Sequence, residues 1–294
     1  MNGDLPQRLS VAIIGPGRAG TAVGVALVRA GHRVVAVGGG SEASRTRFMS
    51  YVAGARGCAD VGDAVTDTGL VVLAVPDDAI TDVVTTLAVD DRLREGMRVI
   101  HLSGAAGLEP LRRATLAGCM TAALHPAQSL TLDPFDPEAL IGAAWAVTAR
   151  ERDRGWASAL VTQLGGDPHD VGDDRRVLYH AALAVGSNVV GAAVAMARQL
   201  LIAARVDDPA AFLAPLVENS TANALRGGAK ALTGPVVRAD VGTLAAHLRA
   251  LEHDVPHLAP AYRELQRAVV DLVAPTLTDE QVAAVRAVLA DPEP

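Results

Sequence analysis

The run Val11-Ala12-Ile13-Ile14-Gly15-Pro16-Gly17-Arg18-Ala19-Gly20 decides how the chain is read. An apolar strand-like segment ends on glycines spaced G-x-G-x-x-G, and Thr21 to Ala30 continues with helix-forming composition up to Gly31. Strand, tight turn and helix in this order are what a dinucleotide pyrophosphate requires. Gly15 permits the turn, Gly17 lets a phosphate approach the backbone, and Gly20 allows close packing of helix on strand. The helix N-terminus adds N–H donors and a favourable dipole. Pro16, Arg18 and Ala19 complete the cofactor-binding turn. No Gly-Lys-Ser/Thr follows, which excludes a P-loop.

Outward from this motif, short apolar runs alternate with helical segments, the pattern of a parallel sheet with helices on its faces. Strands are expected at 9–14, 33–37, 70–74, 99–102, 120–124, 144–148 and 168–171. Beyond residue 172 the pattern becomes Ala/Leu-rich and helical, with helices expected at 174–205, 209–227, 241–253, 256–274 and 278–290. The expected architecture is α/β: a parallel-sheet dinucleotide-binding domain of the Rossmann type over residues 1–171, then an all-α domain over 172–294. Thr278 and Gln281 have capping-box spacing for the last helix, and Pro275 ends the one before it.

The end of the second strand selects the cofactor. An acidic residue there serves the ribose 2′-hydroxyl of NAD, but this chain has Gly38-Gly39-Gly40-Ser41. With no carboxylate to repel a 2′-phosphate, and with Ser41, Arg45 and Arg47 close by, NADP is expected ahead of NAD. Glu42 is the acidic exception, and it stands where it can serve a helix dipole.

Composition narrows the function further. Half of the 294 residues are hydrophobic but only 3% are aromatic, so small side chains should dominate the core. A net charge of −7, from 26 basic and 33 acidic residues, offers no field for nucleic acid or an anionic membrane. Cys58 and Cys119 lack metal-ligand or disulfide spacing, so no metal site is expected and a reducing cytoplasm fits. The run Val177 to Ala197 carries no Asp, Glu, Lys or Arg and has the length of a membrane span. Its alanines, glycines, His180, Ser187 and Asn188 make it read as the buried helix of a soluble protein. The N-terminus shows no signal-peptide pattern.

Several segments together resemble the Rossmann-like proteins with a DUF2520 C-terminal domain. They are Leu73-Ala74-Val75-Pro76-Asp77-Asp78-Ala79-Ile80, His101-Leu102-Ser103-Gly104, His125-Pro126-Ala127-Gln128-Ser129, Tyr179-His180 through Ser187-Asn188, and Leu232-Thr233-Gly234-Pro235-Val236-Val237-Arg238-Ala239-Asp240. The group is related to ketopantoate reductase and pyrroline-5-carboxylate reductase among the 6-phosphogluconate dehydrogenase-like reductases. The resemblance implies an NADP-dependent oxidoreductase that reduces a small 2-oxo acid, with ketopantoate as the leading substrate and a pyrroline-carboxylate-like imine as the nearest rival. A non-catalytic NADP(H)-binding redox sensor is the alternative from another class. A homodimer and a small carboxylate substrate are further expectations. Two positions depart from the family pattern: Gly40, where an Arg is usual, and Ala239, where a Gly is usual.

Hydride transfer to C=O or C=N needs a group that delivers a proton and a donor to the developing charge. Related reductases place these on the first long helix after the dinucleotide domain. Here His180, Ala184, Ser187 and Gly191 share one expected helical face, with Asn188 beside it. His180 is the candidate proton donor, Ser187 and Asn188 candidates for the substrate oxygen, and Gly191 a point where a neighbour can approach. His125, at a strand C-terminus, is expected to face the crevice, as are Ser103 and Gly104. Ala74, Val75 and Pro76 are expected against the cofactor. Arg238 is the candidate carboxylate ligand, with Asp240 either beside it or serving as an N-cap. Thr243, His247, Asn219 and Asn223 fall on helical faces as polar candidates without an assigned role.

Overall fold

The computed structural model describes residues 8–133 and 135–291. The chain divides into two compact units, residues 1–187 and 188–294. In the first unit β1 (Ser10–Ile14), α1 (Arg18–Arg29), β2 (Arg33–Gly38), α2 (Glu42–Tyr51), β3 (Arg56–Cys58), α3 (Val61–Ala64) and β4 (Leu70–Leu73) follow in turn. Then come α4 (Ile80–Val89), β5 (Arg98–His101), α5 (Arg112–Leu116), β6 (Met120–Pro126), β7 (Ala144–Ala149), α6 (Glu151–Gln163), β8 (Asp167–Asp170) and α7 (Arg176–Ala184).

The strands form one sheet in the order β3-β2-β1-β4-β5-β6-β7-β8. Each neighbouring pair is parallel except β6–β7. Central parallel strands must be apolar on both faces, because helices cover both. Val11 and Ile13 of β1 accordingly join one core, with Val23 and Leu27 of α1 and Trp156 and Leu160 of α6. Ala12 and Ile14 point the other way, into a core with Ile80, Val84 and Leu87 of α4. The strand order reverses direction at β1 and β4, and ligands of open α/β sheets bind outside the strand C-termini at such a point.

The strand β3 was not expected from the sequence. It has three residues, Arg56-Gly57-Cys58, on the sheet edge, and only one of their side chains is buried, so no periodicity could announce it. The last strand lies at Asp167–Asp170 and is mostly exposed.

The second unit contains α8 (Val190–Ala203), α9 (Pro209–Gly227), α10 (Val241–Asp254), α11 (Ala259–Val273) and α12 (Asp279–Val288). Its core gathers Val236, Leu244, Leu248, Val270, Val273, Val285 and Leu289. The buried members are all valine or leucine, with Tyr262 among the partly buried residues that pack against them. The expected capping box at Thr278 is formed reciprocally: Thr278 Oγ1 accepts from Gln281 N, and Gln281 Oε1 accepts from Thr278 N. Pro275 lies in a 3-10 turn after α11.

The expected buried helix is a correction. The helical stretch Asp173–Ala203 is long and apolar enough to cross a membrane by length and composition, and none of its most apolar window is buried. Val177 is 72% and Leu178 70% exposed. Apolar content alone does not bury a helix: of α7, only Arg176 is enclosed by the chain.

Candidate active site

The glycine turn after β1 is fixed by close backbone approach. Gly15 has φ +106°, and a Cβ there would stand 2.3 Å from the Ala74 carbonyl oxygen. A Cβ on Gly20 would stand 2.1 Å from the Gly15 oxygen. Gly17 is different: its φ of −79° suits any residue, and nothing lies within 4 Å of a Cβ built on it. Packing does not require glycine there, but a phosphate resting on the backbone does. Gly17 caps α1 with no side-chain partner, and the first turn of α1 holds no acid, so the helix N–H donors face an open, uncompensated end. These residues fit a dinucleotide pyrophosphate. Gly15 N also donates to Gly38 O at 2.9 Å, and Ala74 N to Ile14 O at 2.7 Å, which holds Ala74 beside the glycine turn.

At the end of β2, Gly39 and Gly40 both have positive φ, +75° and +63°. A Cβ at Gly40 would lie 2.8 Å from Ser44 Oγ and 2.9 Å from Pro16 Cγ, which leaves little room for a side chain there. Arg45 Nη1 donates to the carbonyls of Gly39, at 3.2 Å, and Gly40, at 2.6 Å. Ser41 caps α2, accepting from Ser44 N, and Glu42 sits in the first turn of that helix. Arg47 lines an open hollow with Ser41, Glu42, Thr46 and Ser50.

The C-terminal ends of β5 and β6 meet α7 in a dense polar cluster. His101 Nδ1 accepts from Ser103 N at 3.2 Å, so its Nε2 carries the proton and donates to Gly107 O at 2.7 Å. Ser103 Oγ donates to Asp77 Oδ2 at 2.7 Å and accepts from Ala106 N at 2.9 Å. Arg176 is wholly buried; it donates to Thr148 Oγ1 at 3.0 Å and to the Ser103 carbonyl. Asp173 Oδ1 accepts from Leu108 N at 2.7 Å. The loop 103–108 is thus tied to β5, to the β4 turn and to the start of α7.

His125, Tyr179 and His180 stand beside that loop. His125 Nδ1 and the Tyr179 hydroxyl are 2.9 Å apart. The His125 ring meets the Tyr179 and His180 rings edge to face, each at 5.8 Å. Gly104 is necessary here, because a Cβ on it would lie 2.4 Å from His180 Cδ2 and 3.0 Å from His125 Nε2. The Arg176 guanidinium lies 6.0 Å over the Tyr179 ring.

Burial dominates the titration of this cluster. It pushes His125 down to about 4, with the Arg176 cation and His180 acting in the same direction. Burial also takes His101 to about 4. Tyr179 is raised by burial, opposed by Arg176. Both histidines are therefore neutral in the folded chain at pH 7 and still largely neutral at pH 5, where an unfolded chain with histidines near 6.5 binds more protons. Stability from this source is fully present above about pH 6.5 and lost as the pH falls toward 4. Thermal unfolding should therefore show Tm dropping between pH 6.5 and 4.5, and His101→Asn should flatten that slope.

The cluster assembles His125, Ser103, Gly104 and His180, all expected from the sequence, but in altered roles. The Ser103 hydroxyl is spent on Asp77 and on the Ala106 N–H of its own loop. Ser187 and Asn188 are exposed and lie in a π turn, Val185–Val189. Its wider i→i+5 turn breaks the 3.6-residue register, so the expected single face of His180, Ala184, Ser187 and Gly191 is not kept. Gly191, expected to admit a close neighbour, has nothing within 4 Å of a Cβ position.

In the second unit, Asp240 caps α10, accepting from Thr243 N at 3.0 Å and Thr243 Oγ1 at 2.7 Å. His247 Nδ1 bonds the Tyr262 hydroxyl at 2.8 Å, Asn223 accepts from Arg226, and Asn219 and Arg238 are exposed. Ala239 has φ +51°, a left-handed conformation that favours glycine.

Asp77, His101, Thr148, Arg176 and Tyr179 were not singled out in the sequence as site residues. Asp77, His101 and Tyr179 stand within the family-like segments but carry no separate signal there, and Thr148 and Arg176 lie outside them, Arg176 just before the charge-free run.

Residues 1–126 match the family described as a Rossmann-like domain, and residues 143–269 match DUF2520, a domain of unknown function. The chain is a Rossmann-like DUF2520 protein. No curated protein sequence matches the Rossmann-like DUF2520 chain significantly. Among solved structures it is similar to a Bacteroides fragilis protein assigned as a candidate NADP oxidoreductase. The TM-score is 0.76 at 21% identity, covering 90% of this chain and 98% of that one. It is also similar to a Myxococcus stipitatus imine reductase in complex with NADP+, with TM-score 0.66, 20% identity and coverage of 89% and 94%. A Coxiella burnetii pyrroline-5-carboxylate reductase gives TM-score 0.55 at 17% identity, covering 96% of each chain.

Proposed function

We propose that this protein is an NADP-dependent oxidoreductase that reduces a C=N or C=O bond of a small molecule. The observation that carries this reading is the glycine turn. Gly15 and Gly20 are demanded by packing, whereas Gly17 is demanded only by a ligand on the backbone, and the polar cluster of His125, Tyr179 and His180 stands at the C-terminal ends of neighbouring strands. Bound NADPH supplies a hydride. Around it, the helix N–H groups at Gly17 and Arg18 bind the pyrophosphate, and Ser41, Arg45 and Arg47 meet the 2′-phosphate. The second-strand glycines, with no carboxylate among them, favour NADP over NAD.

Two of the similar folds act on C=N bonds by name, which favours an imine over ketopantoate as substrate. In this reading His180 and His125 line the reacting centre of the first unit, with Ser187 a partner for the substrate oxygen or nitrogen; in the second unit, Asn188 and Arg238, whose loop Asp240 orders, are suited by their chemistry to a polar group and a carboxylate. The exposed apolar side chains Val177, Leu178 and Val185 support a homodimer, for which light scattering should return twice the chain mass.

The test is loss of NADPH absorbance with a panel of cyclic imines, pyrroline-5-carboxylate and ketopantoate, with NADH in parallel. Faster turnover of an imine with NADPH is expected. Tight NADPH binding without turnover of any C=N or C=O substrate would replace the enzyme by a redox sensor.

A further inference from the structure

We infer that Tyr179 is the proton donor of the reduction, with His125 as the residue that positions it by donating Nδ1–H to the phenol oxygen. This rests on the reductase reading above and names the acid of that site. The geometry comes first: the Tyr179 hydroxyl is 2.9 Å from His125 Nδ1 and half-buried, at the C-terminal end of β6 beside Gly104. The His125 ring cannot swing away, because Gly104 lies against its Nε2 and the His180 ring against its face or edge.

Within this pair only the phenol has a usable acidic proton. A histidine held neutral down to about pH 4 is almost never an imidazolium at pH 7, and a neutral imidazole is a far weaker acid than a phenol. Tyr179, raised by burial, stays protonated through the neutral range and so is always loaded. Once the proton leaves, two features stabilise the phenolate: Nδ1–H of His125, and the buried Arg176 guanidinium over the ring. The charged and titratable groups that bear on the pair are Arg176 and His180 on α7, His101 on β5, and Asp77 after β4, with Asp173 acting on Arg176. His180, by contrast, is exposed and makes no hydrogen bond among the described residues, so nothing aims its proton.

The step balances simply. The Tyr179 O–H bond breaks and its proton forms the new N–H or O–H bond of the substrate. The hydride from NADPH forms the new C–H bond, and the π pair of C=N or C=O moves onto the heteroatom. The phenolate then takes a proton from water before the next turnover.

Three variants and one spectrum test this. Tyr179→Phe should lower kcat by about 100-fold or more while leaving NADPH affinity, read by fluorescence, unchanged. His125→Asn, whose amide N–H reproduces the Nδ1 donor, should keep most of the rate that His125→Leu loses. The wild-type kcat should hold level from pH 6 to 9 and fall only as Tyr179 ionises, above its ordinary pKa near 10.

Independently of activity, ¹⁵N-histidine NMR of the protein alone should show His125 neutral with its proton on Nδ1. A proton on Nε2 overturns the donor, because the phenol would then be committed to His125. Turnover in Tyr179→Phe equal to that of wild type also overturns it while the reductase reading stands. No NADPH oxidation by wild type with any substrate overturns both.

Discussion

Gly17→Val is expected to fold like the wild-type chain and to weaken NADPH binding by about 100-fold, or about 2.7 kcal/mol. Its backbone angles suit a β-branched residue, and a Cβ there touches nothing within 4 Å. The valine therefore costs the fold little, yet it fills the space through which a pyrophosphate reaches the N–H groups of α1. Gly20→Val provides the contrast. Its Cβ would lie 2.1 Å from a backbone carbonyl that cannot yield without opening the turn, so it should destabilise the first unit by more than about 3 kcal/mol. Thermal unfolding and NADPH fluorescence on the two variants separate these outcomes. A Gly17→Val chain that bound NADPH as wild type does would remove the pyrophosphate from this turn.

Arg176→Met carries the second large effect. The guanidinium is fully buried, has no ion pair among the described residues, and rests on Thr148 Oγ1, the Ser103 carbonyl and the Tyr179 ring. Methionine fills similar space but leaves two buried acceptors without their donor, each worth about 1–3 kcal/mol. Relief of the buried charge offsets part of this, and a net loss of about 2 kcal/mol is expected in urea unfolding. The loop 103–108 loses its tie to α7, so kcat should fall as well. His125 loses a neighbouring cation that disfavours its protonation, and its titration should move up toward 6.5. Unchanged stability in Arg176→Met would mean that the charge is kept for the site alone.

Ser103 and Gly104, expected to face the crevice, follow the end of β5, and Gly104 lies against His125 and His180. What the Ser103 hydroxyl does was not legible, because its partner Asp77 is 26 positions away and belongs to the turn after another strand. Sequence spacing does not separate Tyr179 from His180, because the two are adjacent. Only folding brings His125, 54 positions earlier, within hydrogen-bond distance of the tyrosine and not of its neighbour. The helical face expected to carry Ser187 and Gly191 failed for a local reason, because a single π turn shifts the register and composition does not signal it.

The sequence by itself determined the α/β alternation, the glycine turn, the helical second half and the capping box at Thr278. Each of these is set by neighbours within a few positions, through backbone conformation, periodicity and local hydrogen bonds. The tertiary structure alone decided which glycines are held by packing and which is not, which histidines stay neutral, that Arg176 is buried beneath Tyr179, and that a long apolar helix remains exposed. Those properties depend on what stands opposite each residue across the sheet or on the next element. Burial and charge act through space, over distances that sequence spacing does not encode.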